Sequence, residues 1–576
     1  MTSQKANDSN VPLLQVDNLS VAFSSGGQEQ SAVREVSFSV RRGELVALVG
    51  ESGSGKSVTA LSVLQLLPAP PASYPSGMIL FSENGERAID LLHQDARTMQ
   101  RIRGNQIGMI FQEPMSSLNP VMTCGNQVLE SLLLHKGLPK ETARDQVLHW
   151  FHRVKLPDPE RIYRRYPHQL SGGQKQRVMI AMAMCCNPSL LICDEPTTAL
   201  DVTVQKAILQ LIRELQREED LAVLFITHDL NVVSEIADRV VVMYRGEIVE
   251  QNDIRSVFSN PAHPYTRALL ACRPVNHPRG ERLPVVSDFL EAGKPIRTER
   301  TGPSHKVTKA SDRELLHVQN LSVWFPDRKT FFGKPLSFVK AVDDVSFSVH
   351  EGETLGLVGE SGCGKTTLGR ALLRLVEPTA GKILFDNRDL TRLTVAELGP
   401  MRKDLQIVFQ DPYSSLNPRI TIGSAIGEPL RVHRFADNAK QRKDKVIHLL
   451  EKVGLEKRHF NRYPHEFSGG QRQRIVIARA LALEPSFLVC DESVSALDVS
   501  VQAQVLNLLN DLKKEYGFTI IFISHDLSVV KYLSDRIMVM NRGRIEEIGN
   551  ADEVYHSPKT DYTRKLIASI PRGVIG

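Results

Sequence analysis

The chain has 576 residues, 41% of them hydrophobic and 24% charged, with a formal net charge of +5. That length holds more than one domain, each able to bury a full core, and so small a charge excess gives no reason to expect a nucleic-acid partner. No apolar run approaches the roughly 20 residues of a membrane span, residues 1–10 lack a signal-peptide core, and seven scattered cysteines make no disulfide framework, so a reduced, cytoplasmic protein is expected, one that meets a membrane only through other subunits.

In chain order, an apolar stretch over 13–23 comes first and ends on the aromatic Phe23. A second apolar strand, 45–49, runs into Gly50-Glu51-Ser52-Gly53-Ser54-Gly55-Lys56-Ser57. This fits the phosphate-loop pattern G-x-x-x-x-G-K-[ST] in the strand–loop–helix setting that the motif requires. Gly50, Gly53 and Gly55 let backbone N–H groups turn inward around an anion, with Ser52 among them. The helix opening near Val58 points its positive end at the same place. Lys56 is expected to reach the β- and γ-phosphates of ATP, and the Ser57 hydroxyl to hold Mg²⁺.

Beyond the loop, an apolar strand over 107–111 ends on Gln112, an amide placed to sense Mg²⁺ or a terminal phosphate. The stretch 114–170 reads as helical, with Ala143, Val147, Phe151 and Val154 at helical spacing. Ser171-Gly172-Gly173-Gln174 precedes a helix expected over 178–184. It can be an ordinary N-cap or a second anion-binding helix start, and the neighbouring motifs favour the second. The apolar strand 190–193 ends in Asp194-Glu195. One carboxylate can support Mg²⁺ while the other polarises an attacking water. His228 follows the next strand and can hold the γ-phosphate and orient that water.

Every one of these features recurs. Residues 315–325 repeat 13–23 and end on Phe325, and the loop returns as Gly359-Glu360-Ser361-Gly362-Cys363-Gly364-Lys365-Thr366, followed by Thr367. Gln410, a helical stretch over 412–467, Ser468-Gly469-Gly470-Gln471, Asp491-Glu492 and His525 then follow in the same order, with Thr366, Gln410 and Asp491 as the second Mg²⁺ set. Phe23 and Phe325 are expected to stack on adenine, although a core role is also open. The expected organisation is a polar N-terminus over 1–10, one nucleotide-binding domain over 11–272, a Pro- and charge-rich linker over 273–312, and a second nucleotide-binding domain over 313–576. The first copy is longer between its loop lysine and its glutamine, around 69–97, which reads as a surface insertion.

Taken together these motifs resemble the ATP-binding cassette (ABC) ATPases, over nearly the whole chain. The resemblance implies an α/β fold of two tandem cassettes, each a RecA-like core with an antiparallel β part and a helical subdomain. It implies that Gln112 and Gln410 are Q-loop residues and that Ser171 and Ser468 open the signature. Glu195 and Glu492 are then the catalytic bases, Asp201 and Asp498 the D-loop residues, and His228 and His525 the switch histidines. It also implies that each ATP lies between one cassette's phosphate loop and the other's signature. Phe-Gln-Glu-Pro-Met-Ser-Ser-Leu-Asn-Pro over 111–120, its counterpart over 409–418 and His263-Pro264-Tyr265-Thr266 look like the dipeptide/oligopeptide importer group. That group implies an ATP-hydrolysing subunit importing peptides, glutathione or similar solutes, peripheral at the cytoplasmic face of a bacterial inner membrane. Its partners are two transmembrane permease subunits and a periplasmic substrate-binding protein. Three departures stand out: Thr560-Asp561-Tyr562-Thr563 reads as a degraded tail motif, Ser493 replaces the proline of the first copy, and Cys272 alone is too few for an iron–sulfur cluster. A two-cassette translation factor is the alternative, but Pro274, Pro278, Pro284 and Pro295 oppose the long helical arm such proteins carry. A DNA-repair cassette protein would require coiled-coil or zinc insertions, and the sequence has neither.

Overall fold

A computed structural model describes residues 11–25, 27–83, 87–112, 117–198, 200–290, 311–329, 335–495 and 497–570. They divide into two compact units, one of residues 11–200 and 204–270, the other of 201–203 and 271–570. The polar N-terminus over 1–10, residues 113–116, Ala199, Ala496 and the linker stretch 291–310 lie outside the described residues.

The first unit contains two sheets. A four-stranded antiparallel sheet runs in the order Gln28–Val40, Leu14–Ser25, Ala72–Phe81, Ile89–Asp90. A six-stranded sheet runs Glu247–Asp253, Arg239–Tyr244, Leu45–Val49, Ala222–Thr227, Leu190–Asp194, Ile107–Ile110. All of the second sheet is parallel except its Glu247–Asp253 edge. Strands Leu45–Val49, Leu190–Asp194 and Ala222–Thr227 are buried at every position. That is why they read as unbroken apolar runs, because helices cover both faces of a parallel sheet. One core joins the two sheets, with Leu14, Val16 and Ile79 packed in the same cluster as Val46, Leu48, Ile192 and Ile226.

The second unit repeats this design. Its antiparallel order is Pro335–His350, Glu314–Lys329, Ala380–Phe385, Arg388–Asp389, and its six-stranded order is Leu405–Val408, Phe487–Asp491, Thr519–Ile523, Thr354–Val358, Arg536–Asn541, Arg544–Asn550. The expected helical parts are present as Cys124–Lys136 and Lys140–Arg153, and as Ile422–Val432 and Ala439–Lys452. Ala143, Val147, Phe151 and Val154 are all buried, as the spacing requires. The extra length of the first copy is not loop alone. Strand Ala72–Phe81 has 10 residues where Ala380–Phe385 has 6, and the connection after it spans 82–88 instead of 386–387.

Part of the stretch expected as linker is folded. Residues 271–290 belong to the second unit and carry a short helix, Val286–Leu290. Leu283 is buried, and its backbone is held at both ends by one side chain: its N–H donates to Asn507 Oδ1 at 2.9 Å, and its carbonyl accepts from Asn507 Nδ2 at 2.8 Å. Arg279 pairs with Asp535, and the Tyr532 hydroxyl donates to the Glu281 carbonyl. An Asn507→Ala variant strands two buried backbone groups, so a loss of about 2–3 kcal/mol is expected. The checks are the urea midpoint, which should fall, and limited proteolysis, which should cut faster within 273–290. An unchanged midpoint and cleavage rate would show that the strap is held by other contacts.

Candidate active site

Each phosphate loop connects a central parallel strand to a helix, Lys56–Val63 in the first unit and Lys365–Leu372 in the second. Gly55 and Gly364 sit at the turn with φ of 100° and 107°. A Cβ there would lie 2.8 Å from the Ala32 carbonyl oxygen and 2.0 Å from that of Ala341, so both the backbone angle and the close approach require glycine. Lys56 Nζ donates to the carbonyls of Gly50 and Glu51 at 2.7 and 2.8 Å. Lys365 does the same to Gly359 and Glu360 at 2.8 and 2.9 Å. Both lysines are buried, and their charge is held by the loop carbonyls.

The carboxylate pair closes this loop from the neighbouring strand. Ser57 Oγ donates to Asp194 Oδ1 at 3.0 Å, and Thr366 Oγ1 to Asp491 Oδ1 at 2.9 Å. Burial pushes Asp194 up to about 6 against the opposing Ser57 hydrogen bond, and raises Asp491 in the same direction. The adjacent glutamates move the other way. Burial acts to raise Glu195, but the His228 hydrogen bond and charge, Thr198 and Lys56 outweigh it and hold it down to about 2. Glu492 is also lowered, with burial outweighed chiefly by His525. The environments of the two neighbouring carboxylates thus drive their proton affinities in opposite directions.

The glutamates are also held in place. Gln112 Nε2 donates to Glu195 Oε2 at 3.0 Å, Thr198 Oγ1 to the same oxygen at 2.9 Å, and His228 Nδ1 lies 3.1 Å from Oε1. In the second unit Gln410 Nε2 donates to Glu492 Oε2 at 2.8 Å and His525 Nδ1 is 3.6 Å away. Glu195 and Glu492 have φ of 48° and 47°, a left-handed conformation that costs a non-glycine residue about 1–3 kcal/mol and concentrates at functional positions.

Both units therefore hold the same set: a phosphate loop, a hydroxyl–aspartate pair, and a glutamate fixed by glutamine and histidine. The sequence profile of the ABC transporter family matches residues 33–198 and 342–495, covering more than half of the chain. The chain belongs to the ABC transporter family. It is an ABC ATPase with both cassettes fused in one polypeptide. The profile of the oligopeptide/dipeptide transporter C-terminal region matches 249–290 and 547–574 of the same ATPase. Among curated proteins it is 50% identical over 560 residues to the glutathione import ATP-binding protein GsiA of Pectobacterium atrosepticum, covering 97% of this chain and 89% of that protein. It is 50% identical over 566 residues to GsiA of Escherichia coli K12, with the same coverage. A solved dimeric ATP-binding cassette in a post-hydrolysis state, bound to ADP and Pi, is 29% identical, covers 41% of this chain and 98% of its own, and has a TM-score of 0.38.

The other expected residues of this ABC ATPase sit at helix starts, against the core or at the surface. Ser171 and Ser468 are N-caps of helices Gly172–Met184 and Gly469–Leu481, and each forms a capping box with Gln174 or Gln471. The helices thus start at the glycines, the first of them earlier than the expected 178, because the reciprocal caps satisfy the first-turn donors and offset the low helix propensity of glycine. Asp201 immediately precedes helix Val202–Glu218, and Asp498 is the N-cap of Val499–Tyr516. Val58 packs against the core, whereas Thr367 is half-buried in its helix. Phe23 packs partly on the core, but Phe325 is 42% exposed, so the two aromatics are not equivalent. Cys363 is buried in its loop, where burial raises its thiol.

The sequence reading missed Thr198, whose position three residues after Glu195 was the available signal. Its counterpart Ser495 instead donates to the Glu492 carbonyl at 2.9 Å, so the two glutamates are not held identically. The second tail keeps the local contacts of the first despite its different opening residues. Glu250 accepts the Ala262 and His263 N–H groups, Glu547 accepts those of Lys559 and Thr560, and the tail profile matches both copies.

Proposed function

We propose that this ABC ATPase powers the import of peptides or peptide-like solutes, with glutathione the leading candidate, across a bacterial inner membrane. The observation that carries the reading is the complete set in both units, joined to a tail of the oligopeptide/dipeptide type and to relatives named for glutathione import. No described helix is long and apolar enough to cross a membrane, so separate permease subunits provide the path. The chain then sits peripherally at the cytoplasmic face, and a periplasmic binding protein delivers the solute.

On this reading Lys56 and Lys365 leave their loop carbonyls for the β- and γ-phosphates of ATP. Ser57 with Asp194, and Thr366 with Asp491, supply hard oxygen donors that fit Mg²⁺, with Gln112 and Gln410 beside them. Asp491 Oδ2 is buried with no hydrogen-bond partner among the described residues, as a cation-facing oxygen would be. Bound there, Mg²⁺ would neutralise charge developing on the transferred phosphoryl group. Glu195 and Glu492 accept a hydrogen bond from the attacking water and align it with the γ-phosphorus; the water oxygen bonds to phosphorus as the phosphorus–oxygen bond to ADP breaks, and the water proton passes through the glutamate to the released phosphate. Held down as they are, these glutamates orient water well, and the negative phosphates raise their basicity when ATP is present. His228 and His525 hold the glutamates and the γ-phosphate. Ser171–Gln174 and Ser468–Gln471 offer second anion-binding helix starts, and Phe23 and Phe325 are offered to adenine.

Affinity purification of the full chain from membranes of the source bacterium tests this. Polytopic permease subunits are expected to co-purify. Recovery with ribosomes and no permease would favour the translation-factor alternative.

A further inference from the structure

The tail segment that the catalytic reading leaves unused touches the phosphate loop. The Glu51 N–H donates to Tyr265 Oη at 3.0 Å, and in the second unit the Glu360 N–H donates to Tyr562 Oη at 3.2 Å. The residues are 214 and 202 positions apart in sequence, yet the contact falls on the same loop peptide in both units. That peptide is gripped from two sides. Its carbonyl, on Gly50 or Gly359, accepts from the loop lysine, and its N–H is held by the tail tyrosine.

The tyrosines are themselves well founded. Tyr265 is fully buried in helix Pro264–Ala271 and packs on Tyr244 with ring centroids 4.3 Å apart. Tyr562 lies in helix Asp561–Ala568, and Asn541 stands where Tyr244 stands, so Tyr562 is only half-buried. Each helix start is tied down by a strand glutamate, Glu250 or Glu547, and capped locally: His263 Nδ1 accepts the Tyr265 N–H at 3.2 Å, and Thr560 Oγ1 accepts the Thr563 N–H at 3.2 Å. The first and second tails thus differ in their first two residues but bring a phenol to the same point.

We infer that Tyr265 and Tyr562 are positioning residues for nucleotide binding, each fixing the orientation of the first phosphate-loop peptide when the lysine leaves it for the phosphates. The inference rests on reading 50–57 and 359–366 as phosphate loops. Once Lys56 turns to an anion, the Gly50 carbonyl loses that donor, while the tyrosine still holds the N–H of the same peptide against rotation. A rotated peptide would turn a carbonyl dipole toward the phosphates, where N–H groups are needed. The same contact links the transporter-type tail to nucleotide occupancy, because movement of the tail helix moves the phenol.

The experiment uses the full chain and ATP. In Tyr265→Phe/Tyr562→Phe the rings remain and only the hydroxyls are lost. The expected result is a KM for ATP and a Kd for a fluorescent ADP analogue raised roughly tenfold, with the saturated rate kept within about twofold. Lys56→Ala/Lys365→Ala is the reference for the site itself. If the lysine variant weakens ADP binding while the tyrosine variant leaves Kd and KM unchanged, the positioning role is overturned and the phosphate-loop reading stands. If the lysine variant leaves binding unchanged, the site reading fails, and this inference fails with it. A lower saturated rate with unchanged KM also overturns it, because the hydroxyl would then act on chemistry and not on binding. Should the double variant fold poorly, Tyr562→Phe alone, at the half-buried position, should give a biphasic ADP titration with one class of sites weakened. A single class with native affinity overturns the proposal.

Discussion

Glu195→Gln combined with Glu492→Gln will leave ATP binding close to native and lower steady-state hydrolysis at least about a hundredfold, the range for removing a positioned general base. The exchange keeps shape and volume but removes the charge that His228 and His525 hold. It also leaves Ser57–Asp194, Thr366–Asp491 and both lysines intact, so the nucleotide should still be captured. Each single variant should fall between native and double, because each unit has its own complete set. The checks are phosphate release for turnover and a fluorescent nucleotide titration for binding. Turnover unchanged in Glu195→Gln alone would mean that the first set is not catalytic.

Lys56→Ala combined with Lys365→Ala should weaken ATP binding about a hundredfold, from loss of charge-assisted bonds to two phosphates at each site. Each lysine is buried and already desolvated, so its bond to an incoming anion is not diluted by water. Without nucleotide the same change removes the donor from Gly50 and Glu51, or from Gly359 and Glu360, and a modest fall in melting temperature is expected as well. The measurement is the affinity for a fluorescent, non-hydrolysable ATP analogue by titration, with melting temperature recorded on the same samples. Native affinity in this variant would remove the phosphate loops from the account.

The fold was legible in the sequence because its signals are local. Two phosphate loops, each behind a fully buried strand, fix the parallel sheet and the helix that follows it. The glutamine, the carboxylate pair and the histidine were legible because each ends or follows an apolar strand, and a parallel sheet delivers such ends to one edge. What could not be read depends on contacts between distant positions. Asn507 gripping the backbone of Leu283 has no local signature, so 273–290 looked like linker. The phenols of Tyr265 and Tyr562 sat in a motif that marked a transporter group, and nothing near them in sequence pointed at the loop more than two hundred residues earlier. The left-handed Glu195 and Glu492 were likewise hidden, because a positive φ at a carboxylate is set by the strand end and helix around it.

The central claim is that ATP hydrolysis in this chain drives the uptake of a peptide-like solute. The most direct test is uptake of labelled glutathione and labelled di- and oligopeptides by the source bacterium with the chain deleted, then restored as native or as Glu195→Gln/Glu492→Gln. Deletion should abolish uptake of at least one of these solutes, the native chain should restore it, and the double variant should not, although it reaches the membrane in equal amount. Uptake of all of them unaffected by deletion, or restored equally by the hydrolysis-deficient chain, would contradict the account.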